Sequence, residues 1–211
     1  MKIENNHRVD ISQLNMYTFE EYMDHVRTLV AQVKTTGEHS EAHVHFTKLN
    51  LQRMERVLKT WELLPEVHAF ADSFDGNQLW LLIVESWCGD AALNAPIIAK
   101  MANALRIDLH IVLRDEHPEL MDRFLTNGTR SIPMLIKLDK HTYTPIGKWG
   151  PRQQPAAEMV VQAKETGVPA DEWKADLQKW YNQDKGVTLQ KEILEILREI
   201  ASTKNVFISE N

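Results

Sequence analysis

The sequence has 211 residues and only one cysteine, Cys88. A single cysteine excludes an intramolecular disulfide, and the absence of structural disulfides is compatible with a reducing compartment. Residues 1–15 contain no apolar segment of the kind found in signal peptides, and no apolar run approaches the ~20 residues that span a bilayer. We therefore expect a cytoplasmic protein that does not engage a membrane.

An excess of positive charge is also lacking. The chain carries 24 Lys and Arg against 30 Asp and Glu, a formal net charge of −6, and no basic run stands out. Nucleic-acid-binding proteins show a basic patch or stripe, so this composition argues against a nucleic-acid partner. With 43% hydrophobic residues, the chain can bury a sizeable core in one or two domains.

The first third of the sequence has the apolar periodicity of helices. Thr18 and Glu21 have the spacing of a capping box, and apolar residues recur behind them at three- and four-residue intervals. Two more helices are predicted, over about 40–63 and over 66–74. We assign residues 1–76 to an N-terminal helical extension.

The middle of the chain alternates between strands and helices. We predict strands over 78–85, 107–113, 131–138 and 143–149, and helices over 90–105, 118–125 and 156–165. This order within about ninety residues indicates an α/β domain, a mixed sheet flanked by helices, which we place at residues 77–166.

Residues 167–211 are predicted to form a C-terminal helical pair. Gly186 is expected to end the first helix and Thr188 to cap the second. Both helices have one apolar face, so we expect them to pack on the sheet domain or on a partner.

The stretch over residues 81–96, LLIVESWCGDAALNAP, places Cys88 between a buried strand and a helix. Unpaired N–H groups and the positive end of the helix dipole favour a thiolate at such a position. Asp90 acts in the opposite direction, because its carboxylate repels a thiolate and should raise the cysteine pKa. The sequence leaves open which effect is larger.

This stretch resembles the active-site segment of the thioredoxin family, in which a Trp precedes Cys-Gly-Pro-Cys and a proline follows in the helix. The matching positions are Trp87, Cys88, Gly89 and Pro96. Farther along, Ile132-Pro133 resembles the loop that carries the family's cis-proline. The resemblance covers roughly residues 77–165 and implies a thioredoxin-like fold. It also implies a binding surface for an extended peptide, and the binding residues it suggests are Trp87, Gly89, Ile132 and Pro133.

The departures from the family pattern restrict the chemistry. Ala91 replaces the second cysteine, Asp90 replaces the proline between the cysteines, and Leu82 replaces a buried acid. A dithiol cycle is therefore excluded, and one-thiol chemistry remains, with a mixed disulfide or a sulfenic acid that an outside thiol resolves. Cys88 is then the candidate nucleophile, Asp90 its modulator, and the substrate a protein or a low-molecular-weight thiol or disulfide. The alternative is a catalytically inactive peptide- or protein-binding module.

Other polar residues near the motif have structural interpretations. We expect Glu85 at the surface, and we expect no cofactor and no metal, because His39, His43 and His45 do not share one helix face. The segment Trp149–Arg152 either lines the groove beside the cysteine or turns the chain into the next helix, and we favour the turn.

Overall fold

A mixed five-stranded sheet lies at the centre of the computed structural model, which describes residues 7–209. The strands are β1 (Met16–Tyr17), β2 (Gln78–Val84), β3 (Asp108–Leu113), β4 (Met134–Asp139) and β5 (Pro145–Trp149). Their spatial order is β1-β3-β2-β4-β5. β2 and β3 are parallel, and the other neighbouring pairs are antiparallel.

Eight α-helices surround this sheet within the described part of the chain. They are α1 (Phe19–Ala31), α2 (Glu41–Thr60), α3 (Pro65–Ala71), α4 (Gly89–Ala104), α5 (Pro118–Asp122), α6 (Gln154–Glu165), α7 (Ala170–Asp184) and α8 (Val187–Ser209). None of the helices described is both long and apolar enough to cross a bilayer. The predicted α/β fold with flanking helices is confirmed.

Local signals account for most helix starts. The capping box predicted at Thr18 is present, with the Thr18 hydroxyl accepting from the Glu21 N–H and the Glu21 carboxylate accepting from the Thr18 N–H. Ser40 caps α2 by accepting from the His43 N–H. The cap predicted at Thr188 is wrong: α8 already begins at Val187, and the Thr188 hydroxyl donates to Asp184 in the preceding helix.

The first third of the chain also contains a strand that was not predicted. β1 pairs antiparallel with β3, in the register Met16↔Val112 and Tyr17↔Ile111. Two residues are too few to show an alternating pattern, so this edge strand depends on its partner rather than on local sequence.

The centre of the core is β2, all seven residues of which are buried between β3 and β4. Its near-continuous apolar sequence is typical of a strand covered on both faces. The C-terminal helices pack on the same core. Trp149 of β5 donates its indole N–H to Glu192 of α8 at 2.6 Å, and the Leu64 N–H donates to Gln190 of α8 at 2.7 Å. This packing brings α7 beside the first turn of α4.

Candidate functional site

The turn between β2 and α4 is held by a buried hydroxyl network. The Ser86 Oγ lies 2.8 Å from the Thr47 Oγ1 and accepts the Thr36 N–H at 3.1 Å, and the Ser86 N–H donates to the Thr36 hydroxyl. Asn50 of α2 donates to the Ser86 carbonyl at 2.9 Å. Because these groups are buried and paired, they fix the backbone from which Cys88 begins α4.

Cys88 is the N-cap residue of α4, and it is only 8% exposed. Its thiol donates to the carbonyl oxygen of Ile132, with 3.4 Å between sulfur and oxygen. The pKa of Cys88 is raised to about 12, first by burial and then by the Asp90 carboxylate, while the helix N–H groups and Arg152 act in the lowering direction. Burial and Asp90 therefore outweigh the helix N-terminus, and the thiol is protonated.

Asp90 is buried and forms an ion pair with the partly buried Arg152. Its Oδ2 lies 2.5 Å from Nη2 of Arg152, and its Oδ1 accepts the Tyr181 hydroxyl at 2.9 Å. Burial raises the pKa of Asp90, whereas Arg152 and Tyr181 lower it. Asn94 extends the network by donating to the Tyr181 oxygen and accepting from Gln153.

The segment Trp149–Arg152 contributes to the site, so the interpretation that it only turns the chain is wrong. Arg152 reaches Asp90 because the backbone bends sharply at Gly150, which has φ +133° and a cis bond to Pro151. A Cβ at residue 150 would collide with the carbonyl oxygen of Pro133. Glycine is therefore required where this loop crosses the neighbouring strand.

Ile132 and Pro133 are buried, and the peptide bond between them is cis. The Ile132 carbonyl accepts the Cys88 thiol, and Gly150 lies against the Pro133 carbonyl. The structure thus places Trp87, Cys88, Gly89 and Asp90 around one cavity, while Ile132 contacts the thiol from outside it and Pro133 lies beneath the Gly150 loop.

The cavity beside Cys88 has a volume of about 360 Å³ and lies between α2, the first turn of α4 and α7. Trp87 stacks on His43, with ring centroids 4.5 Å apart and planes at 9°. The Trp87 Nε1 and the Arg152 Nε are buried without a hydrogen-bond partner among the described residues. The remaining lining includes Phe46, Arg53, Leu93, Trp173, Lys174, Leu177, Gln178 and Tyr181.

Glu85 is buried, so the predicted surface position is wrong. Its Oε1 accepts the Asp115 N–H at 2.9 Å, and its Oε2 has no hydrogen-bond partner among the described residues. Burial raises the pKa of Glu85, and the nearby Thr36 hydroxyl and the hydrogen bond from the Asp115 N–H offset part of that effect. A buried carboxylate therefore stands three residues before the cysteine.

Lys137 of β4 is a second buried charge that sequence reasoning missed. Its Nζ has no hydrogen-bond partner among the described residues and lies 5.4 Å from the centre of the Trp80 ring. Burial lowers the pKa of Lys137 to about 7. An alternating strand pattern gives no sign of this, because the lysine occupies a position that reads as the solvent-facing side of the strand.

No group of three or more His, Cys, Asp or Glu side chains in the described residues could hold a metal ion. His43 uses Nδ1 to contact the Glu38 carbonyl at 2.9 Å and its ring to stack on Trp87. Its role in the structure is therefore to support the tryptophan beside Cys88.

Comparison with known proteins identifies the family. The model of a thioredoxin family matches residues 36–174, so the chain belongs to the thioredoxin family. No curated protein matches the chain.

Two solved structures are similar to the chain. The crystal structure of an HIV epitope scaffold has a TM-score of 0.51 and 14% identity, over 87% of this chain and 99% of that one. A protein of unknown function from Pseudomonas aeruginosa has a TM-score of 0.46 and 16% identity, over 82% of this chain and 99% of that one. At such identity the first likeness supports the fold alone.

Proposed function

We propose that this thioredoxin-family protein is a binding module that takes its ligand in the cavity beside Cys88, with the thiol protonated and unreactive. The observation that carries the proposal is the position of the thiol. It donates to the Ile132 carbonyl and lies buried beside the carboxylate of Asp90.

Ionisation of Cys88 would be costly for two physical reasons. It would break the hydrogen bond to Ile132, and it would create a second negative charge beside Asp90 in a poorly solvated position. Arg152 cannot offset this fully, because its guanidinium already pairs with Asp90. Since the thiolate is the nucleophilic form, these contacts oppose redox chemistry at neutral pH.

A second candidate function is one-thiol redox chemistry at Cys88. It is favoured by the position of the sulfur in the cavity wall and by the backbone N–H groups of Ala91 and Asp90, which lower the cysteine pKa. In this reaction the thiolate attacks one sulfur of a disulfide, and the disulfide S–S bond breaks. The departing thiolate takes up the proton that Cys88 has released, and a second thiol from outside then reduces the mixed disulfide.

The rate of alkylation by iodoacetamide between pH 6 and pH 11 distinguishes the two functions. The same protein unfolded in urea is the matched control, because its only thiol is then Cys88 in solvent. For a binding module we expect native Cys88 to react at least about a hundredfold more slowly at pH 7 than the unfolded chain, with an apparent pKa above 10.

The opposite result would support redox chemistry. Native alkylation as fast as in urea, or a mixed disulfide with a small disulfide within minutes at pH 7, would overturn the binding-module proposal. The pH profile separates poor ionisation from simple occlusion, since occlusion slows the reaction without moving the apparent pKa.

A further inference from the structure

Arg53 is the feature of the cavity that points to a ligand class. Its side chain is half-buried, and its Nη1 donates to the Asn50 amide oxygen at 3.0 Å. The guanidinium also lies against the turn, since a Cβ on Gly89 would be 3.2 Å from Nη1. Arg53 forms no salt bridge among the described residues, and the carboxylate that acts on it electrostatically, Asp90, is already paired with Arg152.

The charges around the cavity are unbalanced. Arg53, Arg152 and Lys174 line it, and Asp90 is its single carboxylate among the described residues. Asp90 is already committed to Arg152 and to the Tyr181 hydroxyl. A chain with a formal net charge of −6 thus has a local excess of positive charge at this site. Such an excess attracts an anion.

The remaining walls are apolar. Phe46 is 39% exposed, a large value for a phenylalanine, and its ring faces a cavity that α7 borders on the other side. Trp173 and Leu177 from α7 and Leu93 from α4 complete this surface. An apolar group of the ligand would remove the Phe46 ring from water and gain hydrophobic stabilisation.

We propose that the cavity binds an apolar carboxylate. Its carboxylate lies against the guanidinium of Arg53, and its apolar group lies between Phe46 and Trp173. This inference rests on the proposed binding function and names its ligand class. Guanidinium groups bind carboxylates with paired, charge-assisted hydrogen bonds, which sets the orientation of the ligand.

A cavity of about 360 Å³ accepts one aromatic acid or the last residue of a peptide. These two sources share the same chemistry, a carboxylate next to an apolar side group. The choice between them is an outcome of the binding experiment.

Isothermal titration calorimetry on the full chain tests the ligand class with 3-phenylpropionate. The uncharged 3-phenylpropanamide keeps the ring, and propionate keeps the charge. We expect 3-phenylpropionate to bind at least about tenfold more tightly than either, because only it can use both the guanidinium and the apolar walls. Equal affinity for the acid and the amide, or no binding of the acid, would overturn the proposal.

Substitutions locate the binding site. Arg53→Gln should weaken 3-phenylpropionate binding about tenfold or more. Arg53→Lys should weaken it less, because lysine keeps the positive charge. Phe46→Ala should also weaken it. Lys48→Gln is the matched control, as Lys48 is exposed on the same helix and does not line the cavity. Unchanged affinity in Arg53→Gln, with an unchanged melting temperature, would show that the acid binds elsewhere.

The two ligand sources are compared with the peptides acetyl-Gly-Phe, as the free acid, and acetyl-Gly-Phe-amide. Binding of the free peptide acid as tightly as 3-phenylpropionate indicates peptide C-termini, and binding of 3-phenylpropionate alone indicates a small molecule. Either result supports the ligand class. Because calorimetry and alkylation measure different properties, a slow thiol without acid binding refutes only the ligand class. A fast thiol with acid binding refutes only the redox-inactive function.

Discussion

The carboxylate of Asp90 and the guanidinium of Arg152 approach to 2.5 Å, although 62 positions of sequence separate them. Asp90 lies in the first turn of the helix that follows the cysteine, and Arg152 follows the cis-peptide bend after β5. The pair closes one side of the cavity and keeps a negative charge next to the thiol. Arg152 therefore affects the pKa of Cys88 in two ways, directly through its own charge and indirectly through its pairing with Asp90.

Replacing Asp90 by Asn should make the thiol more acidic. The substitution removes the repulsive charge and leaves Arg152 free to favour a thiolate, so we expect a lower Cys88 pKa and faster alkylation at pH 8. It should also lower the free energy of unfolding by roughly 2–3 kcal/mol, because Arg152 remains in a partly buried position without its ionic partner. Alkylation profiles and urea unfolding measure the two effects.

Tyr181→Phe is the control for this prediction. It removes the hydroxyl that donates to Asp90 but leaves the carboxylate and Arg152 in place. Cys88 should then stay slow to react. Equally fast alkylation in both variants would mean that loosening of the site, rather than charge, controls the thiol.

Replacing Glu85 by Gln should stabilise the protein above neutral pH. A raised carboxyl pKa means that folded Glu85 keeps its proton at pH values where the unfolded chain has lost it. The free energy of unfolding therefore falls as the pH rises from the ordinary glutamate pKa to the raised value. Glutamine keeps an oxygen for the Asp115 N–H without the charge, so at pH 8 we expect a gain of about 1 kcal/mol. Urea unfolding of both proteins at pH 5 and pH 8 tests this; a difference that does not grow between the two pH values contradicts it.

Replacing Lys137 by Met should stabilise the protein at acidic and neutral pH. The Lys137 pKa of about 7 means that the folded protein binds fewer protons than the unfolded chain from about pH 7 to the ordinary lysine pKa, so wild-type stability rises over that range. At pH 6 the variant avoids a buried cation, whose contact with the Trp80 ring compensates only partly, and we expect a gain of roughly 1–4 kcal/mol. The gain should shrink towards pH 10. Denaturation at pH 6 and pH 9.5 checks it, with Lys59→Met as the exposed control on α2.

Replacing Gly150 by Ala should be severely destabilising, by about 3 kcal/mol or more. The new Cβ would meet the Pro133 carbonyl at a residue whose φ is +133°. Gly128→Ala provides a comparison, since Gly128 has φ +74° but nothing within 4 Å of the added carbon. It should cost only about 1 kcal/mol. Similar melting temperatures for the two variants would contradict the close approach at Gly150.

The sequence predicted the elements whose signals are local. The capping box at Thr18 predicted the start of a helix, and the apolar run before Ser86 predicted a strand that is buried on both faces. The alternation of strands and helices then led to the α/β fold. The position of Cys88 at a helix N-terminus was predictable in the same way.

The environment of the cysteine could not be predicted from the sequence in the same way, because it depends on contacts between residues that are far apart in the chain. In the sequence, Tyr181 is one of several apolar positions on an amphipathic helix. In the structure, its hydroxyl donates a hydrogen bond to Asp90, which lies 91 residues earlier in the chain. Glu85 reads as the polar end of a strand, and it is buried only because the loop at Gly37 and the residue Asp115 pack over it. The burial and pairing of such groups depend on tertiary packing, and a local sequence pattern does not predict them.

The Cys88 thiol occupies the Ile132 carbonyl oxygen, which is also the acceptor that the backbone N–H of a bound peptide strand would use. A peptide strand that paired with Ile132 would donate to this same oxygen, and if it displaced the S–H, the lost hydrogen bond would cost about 1 kcal/mol. Docking and exposure of sulfur would then be one exchange reaction rather than two events. The infrared S–H stretch of Cys88 would then report whether the thiol is still hydrogen-bonded to Ile132 when a peptide is bound.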